Sequence, residues 1–280
     1  MSNWTSRIMI YDFEEARAFP VLETDMHIEA PNWTPDGSAL LVNGDGRLFE
    51  VDLAEPELAE IDTGLLITLN NDHGISPDGS TLFLSDHTLG AGSLIWTLDL
   101  ESDDDPVQVT PNAPSWWHGV SPDGQTLAYT AVRNDTFGIW TCPVAGGSER
   151  CVIESDHHYD GPDYTPDGDW IWFNSERSGR GSSDLWRVRV DGAQPQQMTD
   201  DTRVNWFPHP SPDGTRVVYL SYPEGTKGHP ADLEVELRLI APEGGTPTTL
   251  VSLFGGQGTI NVPSWSPDGV AFAYVEYARK

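Results

Sequence analysis

Residues 71–79 read NDHGISPDG, and the second half of this stretch decides the fold. Ser-Pro-Asp-Gly is a turn with a mechanism: proline presets φ at the first corner, Asp bonds its own backbone, and Gly takes the positive φ of the last corner. The first half poses a question, because Asn71, Asp72 and His73 stand where a strand should feed a core. The turn recurs. Pro-Asp-Gly occurs six times, always after Ser or Thr: NWTPDG ending at Gly37, GISPDG at Gly79, GVSPDG at Gly124, DYTPDG at Gly168, HPSPDG at Gly214 and SWSPDG at Gly269. Successive copies lie 42, 45, 44, 46 and 55 residues apart.

Each turn is followed by an alternating apolar strand (ALLVN, TLFLS, TLAYT, WIWFN, RVVYL, AFAYV). A third strand follows most copies, often with an aromatic residue, as in RLFEVDL, LIWTLDL and DLWRVRV. A polar turn and a short fourth strand complete the unit. Four strands in roughly 45 residues, repeated radially, make a β-propeller blade. The sequence therefore predicts an all-β chain, residues 1–280 forming one six-bladed propeller with no linker or second domain. At the ends, IMIYD (8–12) and PVLET (20–24) read as third and fourth strands, while AFAYVEY (271–277) reads as a second strand with no third after it. A shared blade is expected, with its two inner strands from the C-terminal segment and its two outer ones from the N-terminal segment, which removes the open edges.

Forty-four acidic residues face fifteen basic ones, for a net charge of −29. Nucleic acid and anionic membrane are poor partners for such a chain. A protein partner is compatible with it, and would be basic or cationic. No basic region followed by an apolar run opens the sequence, and no stretch approaches the roughly 18 apolar residues of a membrane span, so a cytoplasmic location is expected. Cys142 and Cys151 flank PVAGGSER, which reads as a hairpin turn. A cross-strand disulfide and a reduced, buried pair both fit that spacing, and the reduced pair is the expectation.

The pattern PxWSPDG, followed by an apolar strand and then an aromatic third strand, resembles the WD-like repeat of TolB-type propellers over essentially the whole chain. That resemblance implies the fold. It leaves function open, because such propellers serve as scaffolds, binding modules and enzymes.

In such blades the strand before the turn is innermost and lines a central channel. Four residues before the turn proline stand Pro31, His73, His118, Pro162, Pro208 and Pro263. Three before it stand Asn32, Gly74, Gly119, Asp163, His209 and Ser264, and six before it Glu29, Asn71, Trp116, Asp160, Trp206 and Asn261. A wet channel tolerates polar residues that a packed core would not. His73 and His118 share a register on adjacent blades, each followed by a glycine that would let a ligand approach. His73, His118 and His209 are thus the expected ligands of one divalent metal ion, and His73, His118, Asp72, Asp160 and Asp163 the expected acid–base groups. Trp116, Trp117 and Trp206 would stack on sugar rings, with Glu29, Asn71, Gln257 and Asn261 bonding hydroxyls. The long 55-residue spacing falls in a loop between the second and third strands of the fifth blade, and His229 on that loop is expected to reach the site. His87, His157 and His158 read as surface loop residues. The histidine set resembles that of oligogalacturonate lyases, related propellers that hold a divalent metal through channel histidines, although that family is longer and has seven blades. These readings converge on a pocket for a saccharide or other small ligand, with metal-assisted lyase or hydrolase chemistry. The alternative is a non-catalytic scaffold that binds a protein or ligand.

Overall fold

A computed structural model describes residues 4–90, 92–179 and 181–279. Five four-stranded antiparallel sheets follow one another along the chain, spanning residues 28–61, 69–108, 115–154, 159–197 and 204–255 (blades 1 to 5). Blade 6 joins the chain ends. Ala271–Arg279 pairs with Trp4–Asp12 over nine residues, and Trp4–Asp12 pairs with Arg17–Thr24. The innermost strand of blade 6 is reduced to one bridge, Trp265 with Phe272, supported by the bonds from Ala273 N to Ser264 O (2.8 Å) and from Val275 N to Thr259 O (3.0 Å). The blades close into a ring in sequence order, and no helix occurs among the described residues. The split blade is as expected from the terminal segments.

The apolar core is partitioned between blades rather than gathered at the centre. Leu41, Leu48, Leu82 and Leu84 pack between blades 1 and 2. Phe83, Trp117, Leu127 and Tyr129 do so between blades 2 and 3. Ile8, Ile28, Leu40 and Val275 seal blade 6 to blade 1. Alternating strands explain this: each sheet is covered on both faces by its neighbours, so both sets of side chains are buried.

The turn chemistry is the same in every repeat. The hydroxyl before the proline donates to the Asp carboxylate, at 2.5–2.7 Å, from Thr34, Ser76, Ser121, Thr165, Ser211 and Ser266. The same hydroxyl accepts the N–H of the first residue beyond the turn, at 2.9–3.1 Å. The turn glycines all have φ between 69° and 79°, and each lies against the proline of the preceding repeat, Gly37 closing the ring on Pro267. Pro-Asp-Gly therefore links blades as well as strands.

Cys142 and Cys151 are both free thiols. Cys151 pairs in register with Trp140, not with Cys142, which accounts for the reduced pair.

Ser211 is fully buried. Ser211→Ala removes the acceptor of Arg216 N–H (3.0 Å) and a donor to Asp213. Urea unfolding should register a loss of about 1–3 kcal/mol, the cost of an unsatisfied buried group.

Candidate functional site

A β-bulge governs what reaches the axis. In blades 1 to 5 the innermost strand slips register against its neighbour: between Glu29 and Asn32, Leu69 and His73, Trp117 and Gly119, Asp160 and Asp163, and Trp206 and His209. Bulges re-aim side chains. Here the bulge has two forms. Five residues before the turn proline, Ala30, Gly161 and Phe207 take left-handed conformations (φ 55°, 59° and 52°), whereas the equivalent Asp72 and Trp117 do not. Equal positions in the repeat thus do not imply equal directions.

The expected His73–His118–His209 metal set is not assembled. His73 is buried with Nε2 3.5 Å from Leu41 O, and burial lowers it to about 4, leaving a neutral imidazole. His209 commits both nitrogens, Nδ1 to Asp163 (3.1 Å) and Nε2 to Ile260 O (2.9 Å). His118 commits Nδ1 to Asn261 O (3.2 Å) and Nε2 to Asp160 (3.0 Å). Among the described residues no group of three or more His, Cys, Asp or Glu is arranged to hold a metal ion. These donors do not fit a divalent metal. The glycines beside the histidines also have another use. A Cβ on Gly74 would stand 2.0 Å from the Trp117 ring, and one on Gly119 3.0 Å from Pro162 O. They let adjacent blades meet, not a ligand enter.

At the mouth where the innermost strands begin lies a cavity of about 400 Å3. Asn71, Asp72, Trp116, His118, Asp160, His229, Gln257 and Asn261 line it. Trp117 does not: it is buried between blades and stacks on Phe83 at 5.6 Å. Trp206 stands behind the wall, against His229 (4.3 Å) and His158 (5.5 Å). Glu29 faces His27 and Asn43, and Asp163 lies at the opposite mouth of the axis. The loop of residues 223–232 folds over the cavity. Its Pro230 carbonyl accepts from Tyr222 Oη (3.1 Å) and Gln257 N (3.2 Å), and His229 hydrogen-bonds Gln257.

Sequence reasoning missed His87, His158, Phe137, Thr130, Asn70 and Phe207 in this wall. His158 had a signal: it precedes Asp160 by only two residues, just ahead of the strand Tyr159–Tyr164. His87 and Phe137 are brought in by outer parts of their blades, which no repeat register reveals.

Charge at the site is organised around His118. Burial opposes its protonation, but the field of Asp72 (4.0 Å) and the hydrogen bond to Asp160 outweigh it and raise the imidazolium to about 9. Burial would likewise raise Asp160, yet the His118 bond and charge hold it well below the usual carboxylate range. Thr130 Oγ1 and Gly161 N also donate to Asp160, both at 3.0 Å. Burial drives Asp72 up to about 7, against the pull of His118. Burial lowers His229, against the attraction of Asp160 at 3.6 Å. The cavity thus holds a fixed ion pair beside a carboxyl that titrates near neutrality.

Comparison with known proteins places these features in context. A family model described as the TolB beta propeller domain matches residues 92–238. An uncharacterised protein of Agrobacterium fabrum is 45% identical across 97% of this chain and 92% of its own length. A solved structure from Agrobacterium tumefaciens, provisionally named a TolB, superposes with a TM-score of 0.95 at 44% identity, covering 98% of this chain and 99% of that one. An oligogalacturonate lyase in complex with manganese superposes at 0.58 with 18% identity, over 82% of this chain and 67% of its own, a likeness of fold alone.

The folded protein holds the His118 proton more tightly than the unfolded chain does. This group therefore adds stability below about pH 6.5, and the addition is lost as pH rises to about 9. An NMR titration of the His118 ring should show a midpoint near 9, and a midpoint near the ordinary 6.5 would overturn the assigned charge state.

Proposed function

The chain belongs to the TolB β-propeller family, and from that footing we propose that its axial pocket binds a small, neutral, hydroxyl-rich ligand, a saccharide. The observation that carries this reading is the lining of the cavity: Trp116, Phe137 and Phe207 stand there together with Asn70, Asn71, Thr130, Gln257, Asn261 and the His118–Asp160 pair. Sugar C–H faces pack on aromatic rings, and hydroxyls both donate and accept. The ion pair satisfies its own charge, so the pocket requires no charged ligand. A cavity of about 400 Å3 is within the range of small-ligand sites.

One observation supports a second reading, in which the bound ligand also reacts. Asp72, at about 7, exchanges a proton near neutral pH, while Asp160 stays ionised beside it. Two carboxyl groups driven apart in this way are suited to acid and base roles. Asp72 would move the proton, beside a His118–Asp160 pair that stays fixed. No step in this reading uses a metal.

Saturation-transfer NMR against a panel of neutral and uronate-containing oligosaccharides tests the first reading. Trp116→Ala should weaken a binding saccharide at least tenfold, about 1.4 kcal/mol, without unfolding the protein. If no saccharide binds, the saccharide reading is overturned. For any ligand that turns over, Asp72→Asn should retain binding and abolish the reaction, and undiminished turnover would remove Asp72 from the chemistry.

A further inference from the structure

The seams between blades, at the turn end of the ring, are filled in different ways, and the difference lies two residues beyond each turn glycine. At the seam of blades 5 and 6 that residue is Arg216. Its guanidinium lies 4.4 Å from the Phe13 ring centroid and donates to Gly269 O, in the turn of the next blade, at 3.5 Å. At the seam of blades 4 and 5 the residue is Trp170. The Arg187 guanidinium lies 4.6 Å from its ring and donates across the seam to Pro242 O at 2.7 Å. In both seams an arginine of this chain crosses from one blade to the next and ends on a carbonyl.

The seam of blades 6 and 1 has no such residue. Ala271 stands where Arg216 stands, and its N–H goes to Ser266 Oγ as Arg216 N–H goes to Ser211 Oγ, both at 3.0 Å. Leu53 stands where Phe13 stands: Leu53 N donates to Ser38 O as Phe13 N donates to Val270 O, both at 3.0 Å. Ala271, Leu53 and the turn glycine Gly37 line the groove of about 640 Å3 that results. In blade 6 Phe13 stacks on Trp265 at 5.3 Å, and Trp265 is buried. In blade 1 the smaller Leu53 leaves the equivalent Trp33 half-buried in the groove wall, and since Trp33 Nε1 is enclosed, ring carbon is what it presents. Phe19 and Val270, both exposed, extend this wall. The rim is acidic, with Asp12, Asp36 and Asp268. Donors from their own turns, Ser38 N–H first for Asp36 and the Ser266 hydroxyl first for Asp268, lower both carboxyl groups, so both are ionised at neutral pH. The Ser266 hydroxyl is thereby spent. None of the described residues lining the groove is Lys or Arg, and Arg17, opposite Asp12 in the strand pair, is bound to Glu15.

We propose that the blade 6–1 seam docks a protein partner through an arginine with apolar neighbours. The partner's guanidinium takes the place that Arg216 fills in the adjoining seam, over the Trp33 ring and beside Asp36 and Asp268, and the neighbouring apolar side chains rest on Phe19 and Val270. The charge of the rim complements such a partner, and the apolar wall holds it. The blade 2–3 seam is open too, at Thr81, but Phe83 there is fully buried, so that seam lacks an aromatic face for the cation. The site is independent of the axial pocket and of what the pocket binds.

NMR titration at physiological salt with the peptide acetyl-Leu-Arg-Leu-amide tests this, with the citrulline peptide of the same shape as the uncharged control. Saturable shifts of the Trp33 indole signals are expected with the arginine peptide, and binding at least tenfold weaker with citrulline. Absence of saturable shifts overturns the proposal, and so does equal affinity for the two peptides. Ala271→Arg fills the groove from within, as Arg216 fills the next seam, and should weaken the arginine peptide at least tenfold. Should that variant not fold, Leu53→Phe covers Trp33 as Phe13 covers Trp265 and should have the same effect. Undiminished binding in the folded variant overturns the proposal. Sedimentation supplies the remaining outcome: a wild-type dimer that Ala271→Arg or Leu53→Phe converts to monomer would mean that a second copy of this chain covers the seam, which also overturns it.

Discussion

The innermost strand of each blade is hydrogen-bonded along one side only, and much of the architecture answers the question of what its other edge does. An unpaired buried N–H is costly, so each needs a partner from outside its own sheet. The preceding blade supplies several. Trp117 N donates to Ser85 Oγ (2.8 Å), Phe207 N to Asn174 Oδ1 (3.0 Å) and Ala30 N to Gly258 O (2.7 Å). These bonds are made at the bulge, and the bulge is what turns each strand's side chains toward or away from the axis. Ring closure, blade packing and the shape of the pocket therefore share one origin.

The axis also shows how charge is carried inside an acidic protein. The buried acids are not left alone. Asp160 is matched by His118 and Asp163 by His209, each pair also anchored to a carbonyl, Asn261 O and Ile260 O. Such pairs are weak contributors to stability, because desolvation consumes most of the Coulomb gain. Their effect is on direction. Each imidazole is held by both nitrogens, so its orientation is fixed before any ligand arrives. His73, with no acid beside it, is instead neutral and serves packing.

The fold was legible because its signal is redundant. Six copies of a turn, each with the same hydroxyl and the same Asp, point to one answer, and the terminal segments declared their missing partners. The site was legible only in part. Asn71, Asp72, Trp116, His118, Asp160 and Asn261 could be placed near the axis from their distance to the turn proline. The same rule misplaced His73, Trp117 and Trp206, because it takes an equal distance from the turn proline to mean an equal direction. The bulge breaks it, and whether residue five before the proline turns left-handed differs between blades. Gly161 announces such a turn, but Ala30 and Phe207 do not, since neither residue type favours positive φ. His87 and His158 escaped for a different reason: loop residues read as surface unless something shows that the loop bends inward.

The blade that joins the two chain ends has a bearing on how the molecule is made. Trp4–Asp12 is made before its partner Ala271–Arg279, which follows about 260 residues later. Until then the first strands can pair only with each other, and both flanking blades expose a face that the finished ring buries. The entropy of bringing the two segments together grows only slowly with the length between them, so closure is accessible once both have been made. During synthesis it is unavailable. The growing chain is thus an open arc whose two end faces stay apolar and uncovered until the ring closes.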